Sequence, residues 1–444
     1  MGSFKPVDLA SQPKARKRLV AVSRDIPRVA ASGVALALVA VVPEGMNRAS
    51  CRLGDQCRTS RTYTWPPVEL PLAVRRLNPW VRYDAGLPSR EMKLLHVVGA
   101  RPNFPKLAPV HRAGQKAGLS QVVVHTGQHY DDALSDGFFR DLGIAPPDVN
   151  LAVGSDTHAV QTARIIERIE PVLREERPDW VVVYGDVNST MAAAVVASKL
   201  GIRVAHVEAG LRSFDRAMPE EINRIVTDRL ANLLLTPSRD ADAQLRSEGE
   251  PDAEIVFVGN VMIDSLFYAL PAARLTGFRE KLGVNGSAVV VTLHRPSNVD
   301  DAIRIRLLAD VLSEIALERP VVFPAHPRTR LRLEAAGLKM DRVRMLEPVG
   351  YLEMLDLVEH AFAVVTDSGG LQEETTALGI PCLTIRPNTE RPITITEGTN
   401  RLVPNPSDIL AELRLLRPPA VTPRPEGWDG HAAERVIAAL VSRR

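Results

Sequence analysis

From Met92 onward the chain alternates short, almost wholly apolar runs with longer amphipathic stretches. The first runs are LLHVVG (94–99), VVVHTG (122–127), WVVVYGD (180–186), RVAHVEAG (203–210), LLLTPS (233–238) and IVFVGN (255–260). A second series follows with AVVVTLH (288–294), PVVFPAH (320–326), VRMLEP (343–348), AFAVVTD (361–367) and PCLTIR (381–386). Continuous β-branched runs separated by helical patterns are the signature of parallel strands covered on both faces. Two sets of five or six such strands predict an α/β protein with two doubly wound, Rossmann-like domains and a cleft between them. The expected domains are 92–262 and 263–426, with the break near 259–286. A terminal helix over 427–442 is expected to pack back on the first domain.

Residues 1–91 lack this rhythm and mix Arg, Pro and short apolar pieces. Two origins fit: a start codon set too far upstream, with Met92 the natural beginning, or a genuine extension. The apolar run VAASGVALALVAVV (29–42) follows Lys14, Arg16, Lys17, Arg18 and Arg28. It is too short to span a bilayer, which takes about 20 residues. Pro43-Glu44-Gly45 stands where a signal peptide would need a small-residue cleavage site, which argues against one.

In a doubly wound domain ligands bind at the carboxyl ends of the strands, so the residues just after each run carry the chemistry. The first run ends in Gly99-Ala100-Arg101-Pro102, with Lys106 soon after, and the third in Gly185-Asp186. The fourth ends in His206-Val207-Glu208-Ala209-Gly210, and a loop then supplies Arg212, Arg216 and the PEEINR stretch (219–224). The second series ends in His294-Arg295-Pro296, His326-Pro327-Arg328 and Asp367-Ser368-Gly369-Gly370. One half thus supplies carboxylates, the other histidines and a glycine-rich helix start. A helix start gathers free N–H groups and the positive end of the backbone dipole, which suits a phosphate. Glu373 and Glu374 follow it closely, so the ligand must also offer something to a carboxylate.

Each of these residues has a plainer alternative. Arg101 and Lys106 fit surface charges, Asp186 fits a helix cap, and His206 and Glu208 fit solvated strand-end residues. Glu220 and Glu221 fit a first-turn charge preference after Pro219. His294 and His326 fit hydrogen-bonded structural histidines, and Ser368 a capping serine. Their conjunction at equivalent topological positions favours a site.

Composition narrows the ligand. The chain has 444 residues, 45% hydrophobic and 24% charged, as in ordinary globular proteins. Its net charge of +2 and 5% aromatic content favour no nucleic-acid partner. Three cysteines offer neither a disulfide framework nor a metal spacing, which fits a reducing, cytoplasmic compartment. There is no G-x-S-x-G elbow, no P-loop, and no dinucleotide fingerprint in GARPNF. What remains is a diphosphate site of helix N–H groups and Arg, Lys and His cations, facing carboxylates able to move protons. A sugar nucleotide fits that inventory, with its ribose diol on a carboxylate.

The ordered motifs GARPNFPKLAP, TGQHYDD, YGDVNST, HVEAGLRSFDRAMPEEINR, GNVMID, TLHRPSN, PAHPRTR, TDSGGLQEE and GIPCLTIRPNTERP closely resemble the non-hydrolysing UDP-N-acetylglucosamine 2-epimerases. The resemblance covers about Met92 to Pro404. It implies a glycosyltransferase-B-like fold, a homodimer, a UDP-sugar substrate, no metal and no cofactor. It also implies interconversion of UDP-GlcNAc and UDP-ManNAc by elimination of UDP to a 2-acetamidoglucal and re-addition with C2 inverted. On this resemblance Asp186, Glu208 and Glu221 are the acid/base carboxylates, with the faces of C2 unassigned. Arg101, Lys106 and His294 lie near the diphosphate and reaction centre, with Arg224 and His326 supporting. Ser368, Gly369 and Gly370 hold phosphate and Glu374 the ribose, while Glu373 is read as a solvated neighbour. Gln128 and Arg295 fall where a second, activating UDP-GlcNAc would touch.

Two departures from the family pattern bear on the substrate. Asn103 stands where many bacterial members have glutamate, and RPSN, with Pro296 and Ser297, replaces an Arg-Arg-Glu type of stretch. They put activation and the C3 and C6 substituents in question, and a related branch acts on diacetamido uronic acid nucleotides. A retaining UDP-sugar glycosyltransferase and an inactive UDP-sugar sensor are the competing readings. The rich carboxylate wall argues against the first and the complete acid/base set against the second. A chain starting at Met92 is expected to turn over UDP-sugar as fast as the full chain. An inactive shorter chain in the same assay would show that the extension is required.

Overall fold

Strand ends rather than strand centres decide where this chain can bind anything, because the centres are sealed. In the computed structural model, which describes residues 91–128, 137, 139–284 and 286–444, the central strand Trp180–Tyr184 is buried at all five positions. The segment 1–90, with the 29–42 run, Cys51 and Cys57, lies outside the described residues, as does most of TGQHYDD. Among the described residues no helix is long and apolar enough to cross a membrane.

The first sheet contains β1 (Lys93–Val98), β2 (Ser120–His125), β3 (Val149–Asn150), β4 (Trp180–Tyr184), β5 (Arg203–Val207), β6 (Leu233–Thr236) and β7 (Ile255–Phe257). Its order is β3-β2-β1-β4-β5-β6-β7, and every neighbouring pair is parallel. The second contains β8 (Val289–Thr292), β9 (Val321–Pro324), β10 (Val343–Leu346), β11 (Ala363–Thr366), β12 (Cys382–Thr384) and β13 (Asn400–Leu402). It runs β10-β9-β8-β11-β12-β13, again all parallel. The expected pair of doubly wound α/β folds is present. Winding reverses between β1 and β4 and again between β8 and β11, so each sheet has one crevice at the carboxyl ends of those strands.

Two strands escaped the sequence pattern, β3 and β13. Both are edge strands of two or three residues; neither residue of β3 is buried, and only Asn400 of β13 is. A strand paired on one side and half covered needs no apolar run to announce it. The predicted runs also overreach at their carboxyl ends. Strand β4 stops at Tyr184 because Gly185 turns to φ +60°, and β5 stops at Val207 because Glu208 turns to φ +73°. The overreaching residues include Asp186 and Glu208, both expected site residues.

The helices used below are α1 (Phe104–Lys116), α2 (Asn188–Lys199), α3 (Pro219–Leu230), α4 (Val261–Thr276), α5 (Tyr351–Glu359), α6 (Gly369–Leu378) and α7 (Ala432–Val441). Helix α4 starts where Asn260 accepts a hydrogen bond from Met262 N at 2.9 Å. It packs against α1 and α7 on one side and α5 and α6 on the other. Asp264, in its first turn, accepts from Ala432 N and Ala433 N (3.2 and 2.7 Å), and so caps α7. Trp428, Val436, Ile437 and Leu440 join Leu107, Leu235 and Val258 in one apolar cluster, which brings the C-terminal segment onto the first sheet's core.

The backbone of that return meets Gly259, whose φ is +83° and where a Cβ would overlap the carbonyl of Gly427. Gly259→Ala is therefore expected to cost about 1–3 kcal/mol of stability. Urea denaturation measures this, and an unchanged midpoint would mean that the close approach does not matter.

Candidate active site

At the first crevice Asn103 stitches the two strand ends together. Its Oδ1 accepts from Gly99 N and Ala100 N at 3.1 and 3.2 Å, and its Nδ2 donates to Tyr184 O at 2.9 Å. Arg101 and Asn103 sit in a single 3-10 turn that carries the chain from β1 into α1. Lys106, on the first turn of α1, is buried and pairs with Glu208 just beyond β5. Gly185 lies against that pair: a Cβ there would be 2.5 Å from Lys106 Nζ. Glu208 itself is a non-glycine residue in the left-handed region, a strained conformation of the kind concentrated at functional sites.

Asp186 and Glu221 are joined through Arg224. The guanidinium pairs with Asp186 through Nη1 and with Glu221 Oε2 through Nη2 at 2.8 Å. Glu221, at the start of α3, also accepts from Ser213 N, Ser213 Oγ and Phe214 N at 2.9, 3.0 and 2.9 Å. Burial pushes its carboxyl up, but the Ser213 N–H and Arg224 outweigh this and hold it below its usual value. Glu221 is almost sealed, whereas the Asp186 side chain remains 24% exposed. Of the three expected acid/base carboxylates, Asp186 is thus the most open to an incoming sugar. It does not act as a helix cap: Val187 occupies that position of α2 and no side chain caps it.

Asp367 performs the stitching at the second crevice. It accepts from His294 N, Arg295 N and Asn298 Nδ2, the last at 3.0 Å, and so ties the end of β8 to that of β11. The His294 ring also reaches Asp367, Nδ1 to Oδ1 at 3.1 Å, while its outer face is exposed. The His326 ring lies 6.3 Å from it, centroid to centroid, and accepts from Arg328 N at the start of its own helix. Helix α6 begins at Gly369 with no side-chain cap from Ser368, which leaves its first N–H groups suited to an anion.

A buried arginine joins the two crevices. Arg391, buried in the loop after β12, donates from Nη2 to Glu208 Oε1 at 2.6 Å. It also pairs with Glu373 at 3.0 Å and Glu390 at 2.5 Å. Gly369 backs directly onto this cluster, since a Cβ there would lie 2.7 Å from Arg391 Nη1. Asn388 Nδ2 donates across to Ser213 O at 3.2 Å, a second contact between the halves. Burial raises the Glu208 carboxyl, but Lys106 and then Arg391 overcome this and keep it low. Glu390 is likewise held low, its burial outweighed by Arg391 and Arg386.

Glu373 corrects an expectation. It is buried rather than solvated, held by Arg391 and by Asn260 Nδ2 at 2.9 Å, and burial raises its pKa. Glu374 lies beside it with Tyr351 OH donating to Oε1 at 3.0 Å. Gln128 accepts from Ser189 Oγ at 2.9 Å on the first-sheet side, while Arg295 donates through Nε to Asp367 O at 3.0 Å on the second. Among the described residues no group of three His, Cys, Asp or Glu side chains is placed to hold a metal ion.

The sequence profile of the UDP-N-acetylglucosamine 2-epimerase family matches residues 111–441. The chain belongs to that family. A UDP-N-acetylglucosamine 2-epimerase homolog of Methanococcus maripaludis is 42% identical over 358 residues, covering 79% of this chain and 99% of the relative. The UDP-2,3-diacetamido-2,3-dideoxy-D-glucuronate 2-epimerase of Pseudomonas aeruginosa is 45% identical over 326 residues, covering 72% and 91%. The crystal structure of Methanocaldococcus jannaschii UDP-GlcNAc 2-epimerase with UDP-GlcNAc and UDP matches with a TM-score of 0.73. Its identity is 39%, over 79% of this chain and 100% of that one.

Within this family member, sequence reasoning passed over Arg391, although NTERP was among the quoted motifs. A lone Glu-Arg pair before a proline looks like a loop surface, and only its partners on other elements reveal it. Asp367 was visible at a strand end and Asn103 as a departure from the family pattern, but their stitching role depends on the neighbouring strand. Glu374 supplies a pH test. Burial raises its carboxyl from 4.5 to about 7, against the Tyr351 hydrogen bond, which lowers it. A raised folded-state pKa gives stability that is fully present below the ordinary value and is lost as pH climbs through about 7. Glu374→Gln, neutral throughout, should therefore gain on the parent between pH 5 and pH 8, by on the order of 2 kcal/mol at the upper end. Thermal melts across that range measure it, and a pH-independent difference would contradict the raised carboxyl.

Proposed function

We propose that this chain is a UDP-N-acetylglucosamine 2-epimerase, an isomerase that interconverts UDP-GlcNAc and UDP-ManNAc. The observation that carries the reading is the Glu208–Arg391 contact. It sets the carboxylates of the first crevice beside the uncapped helix start of the second. In this reading the diphosphate lies at Ser368, Gly369 and Gly370, with Arg101, Lys106, His294 and His326 around it. Glu374 takes the ribose diol. The sugar then reaches toward Asp186, Glu208 and Glu221, with Arg224 orienting two of them.

The C2 proton is weakly acidic, so its removal needs a coupled departure. A carboxylate takes the proton, the C1–O bond to the diphosphate breaks, and the electron pair of the C2–H bond forms the C1=C2 bond of a 2-acetamidoglucal. The cations and helix N–H groups stabilise the negative charge that grows on departing UDP. Re-addition of UDP at C1, with a proton delivered to the opposite face of C2, gives the epimer. Asp186, the most open carboxylate, is the first choice for one of these proton transfers. The reading includes a homodimeric, cytoplasmic enzyme without a cofactor, supported by the family resemblance and the sparse cysteines. Gln128 and Arg295 remain assigned to a second UDP-GlcNAc, Gln128 from the first-sheet side.

A second substrate deserves a test because the Pseudomonas aeruginosa relative, 45% identical, carries a diacetamido uronate activity in its name. Incubation in D2O with UDP-GlcNAc or with UDP-2,3-diacetamido-2,3-dideoxyglucuronate, followed by NMR, separates the two. The primary reading expects UDP-ManNAc labelled with deuterium at C2. Labelling of the uronate alone would move the assignment to that branch, and labelling of neither would end the epimerase reading. Asp186→Asn is expected to slow C2 exchange by about 10²–10⁴-fold while retaining UDP binding. Parental exchange in that variant would remove Asp186 from the chemistry.

A further inference from the structure

His206 is fully buried on β5, two residues before Glu208, and the proposed reaction gives it nothing to do. Its ring faces an acceptor on each side. Nδ1 lies 2.6 Å from Asp228 Oδ1, and Nε2 lies 2.7 Å from the carbonyl oxygen of Gly185. A carbonyl oxygen can only accept. Asp228 accepts as well: Oδ2 takes Gly210 N at 3.1 Å and Arg212 Nη1 at 2.7 Å. Asp228 is buried in a salt bridge to the Arg212 guanidinium, Oδ2 to Nη1 at 2.7 Å, and an opposite charge that close keeps a carboxyl ionised, so it has no proton to give. A neutral imidazole has one N–H and one lone pair, and either tautomer would set that lone pair against an oxygen.

We infer that His206 is a buried imidazolium, donating from both ring nitrogens, that positions the turn carrying Asp186 and flooring the Lys106–Glu208 pair. This rests on the reading of Asp186 and Glu208 as groups of the C2 chemistry, whereas the ring's two donors do not. The charges around it balance. His206 and Arg212 are cations, Asp228 lies between them, and Glu248 holds Arg212 from the far side at 2.7 Å. Across Gly185 stand Lys106 and Glu208, themselves paired.

The leverage comes from Gly185. Its φ of +60° places it in a turn that only glycine enters without strain, and an added Cβ would meet Lys106 Nζ at 2.5 Å and Glu208 Oε2 at 3.2 Å. Gly185 O is the atom His206 holds, and Asp186 is the next residue. Release of that carbonyl lets the turn shift, which moves the Asp186 carboxylate and the surface beneath Glu208 together. Mispositioning of about 1 Å at a reacting group costs about 100-fold in rate. His206 touches no substrate in this scheme and is a positioning residue.

The test uses full-length protein labelled with 15N at histidine, with His206 assigned by comparison with His206→Gln. The expected spectrum shows both His206 ring nitrogens bonded to hydrogen. A signal from one unprotonated ring nitrogen would overturn the imidazolium. His206→Asn should slow C2 deuterium exchange about 100-fold, with UDP still bound through the Ser368-Gly369-Gly370 helix start of the other sheet. Parental exchange in that variant would overturn the positioning role. Should His206→Asn fail to bind UDP, Asp228→Asn provides the second arm, with loss of the Nδ1 proton and slowed exchange expected together. Loss of the proton with parental exchange would overturn the imidazolium as the form that holds the turn. If the parent labels no UDP-sugar at C2, the reading of the site fails, and the ring spectrum still decides the imidazolium.

Discussion

A guanidinium buried among three carboxylates, one of which comes from the opposite sheet, is the constraint on which the cleft depends. Arg391 cannot be left unpaired in that environment, because an uncompensated buried charge is far more costly than a matched one. Its three partners are therefore fixed in place by the same requirement. Glu208 is drawn toward the second sheet, Glu373 is held beneath the start of α6, and Glu390 is pinned against Arg386. Glycine at position 369 follows from this, since the helix start lies directly against the guanidinium. The strained backbone at Glu208 is tolerated for the same reason: Lys106 on one side and Arg391 on the other hold the carboxylate where it is.

The two crevices solve one problem with different residues. Parallel strands that diverge at a winding reversal leave unpaired backbone groups at their carboxyl ends. Asn103 joins the ends of β1 and β4 with an amide, which can accept and donate at once. Asp367 joins β8 and β11 with a carboxylate that only accepts, and it therefore also attracts the ring of His294. The neutral stitch leaves the first crevice to its own carboxylates. The charged one gathers donors and cations where an anion would lie.

Much of this was legible in the sequence because β-branched runs state their own period, and polar residues at the ends of those runs interrupt it. Asp186, Glu208, His294 and the Ser368-Gly369-Gly370 start all stood out in that way. What was not legible depends on a partner far along the chain. Arg391 reads as a surface loop residue until Glu208, 183 residues earlier, is placed against it. Glu373 looks solvated beside Glu374, since nothing local announces Asn260 and Arg391 as its partners. His206 looks like a lone strand-end histidine until Asp228 and Gly185 flank its ring. Edge strands β3 and β13 were missed for the opposite reason, being too short and too open to need a pattern.

Helix α4 carries the chain out of the first sheet, and the segment ending in Trp428 and α7 carries it back. The two walls of the cleft are thus tethered at two points rather than one, with α4 packed against both. In thermodynamic terms, each wall experiences the other at a high effective concentration before any nucleotide arrives. Most of the translational and rotational entropy of assembling the site is therefore lost during folding. A sugar nucleotide that binds across the cleft can spend its interaction energy on orientation at C1 and C2 rather than on gathering the two halves.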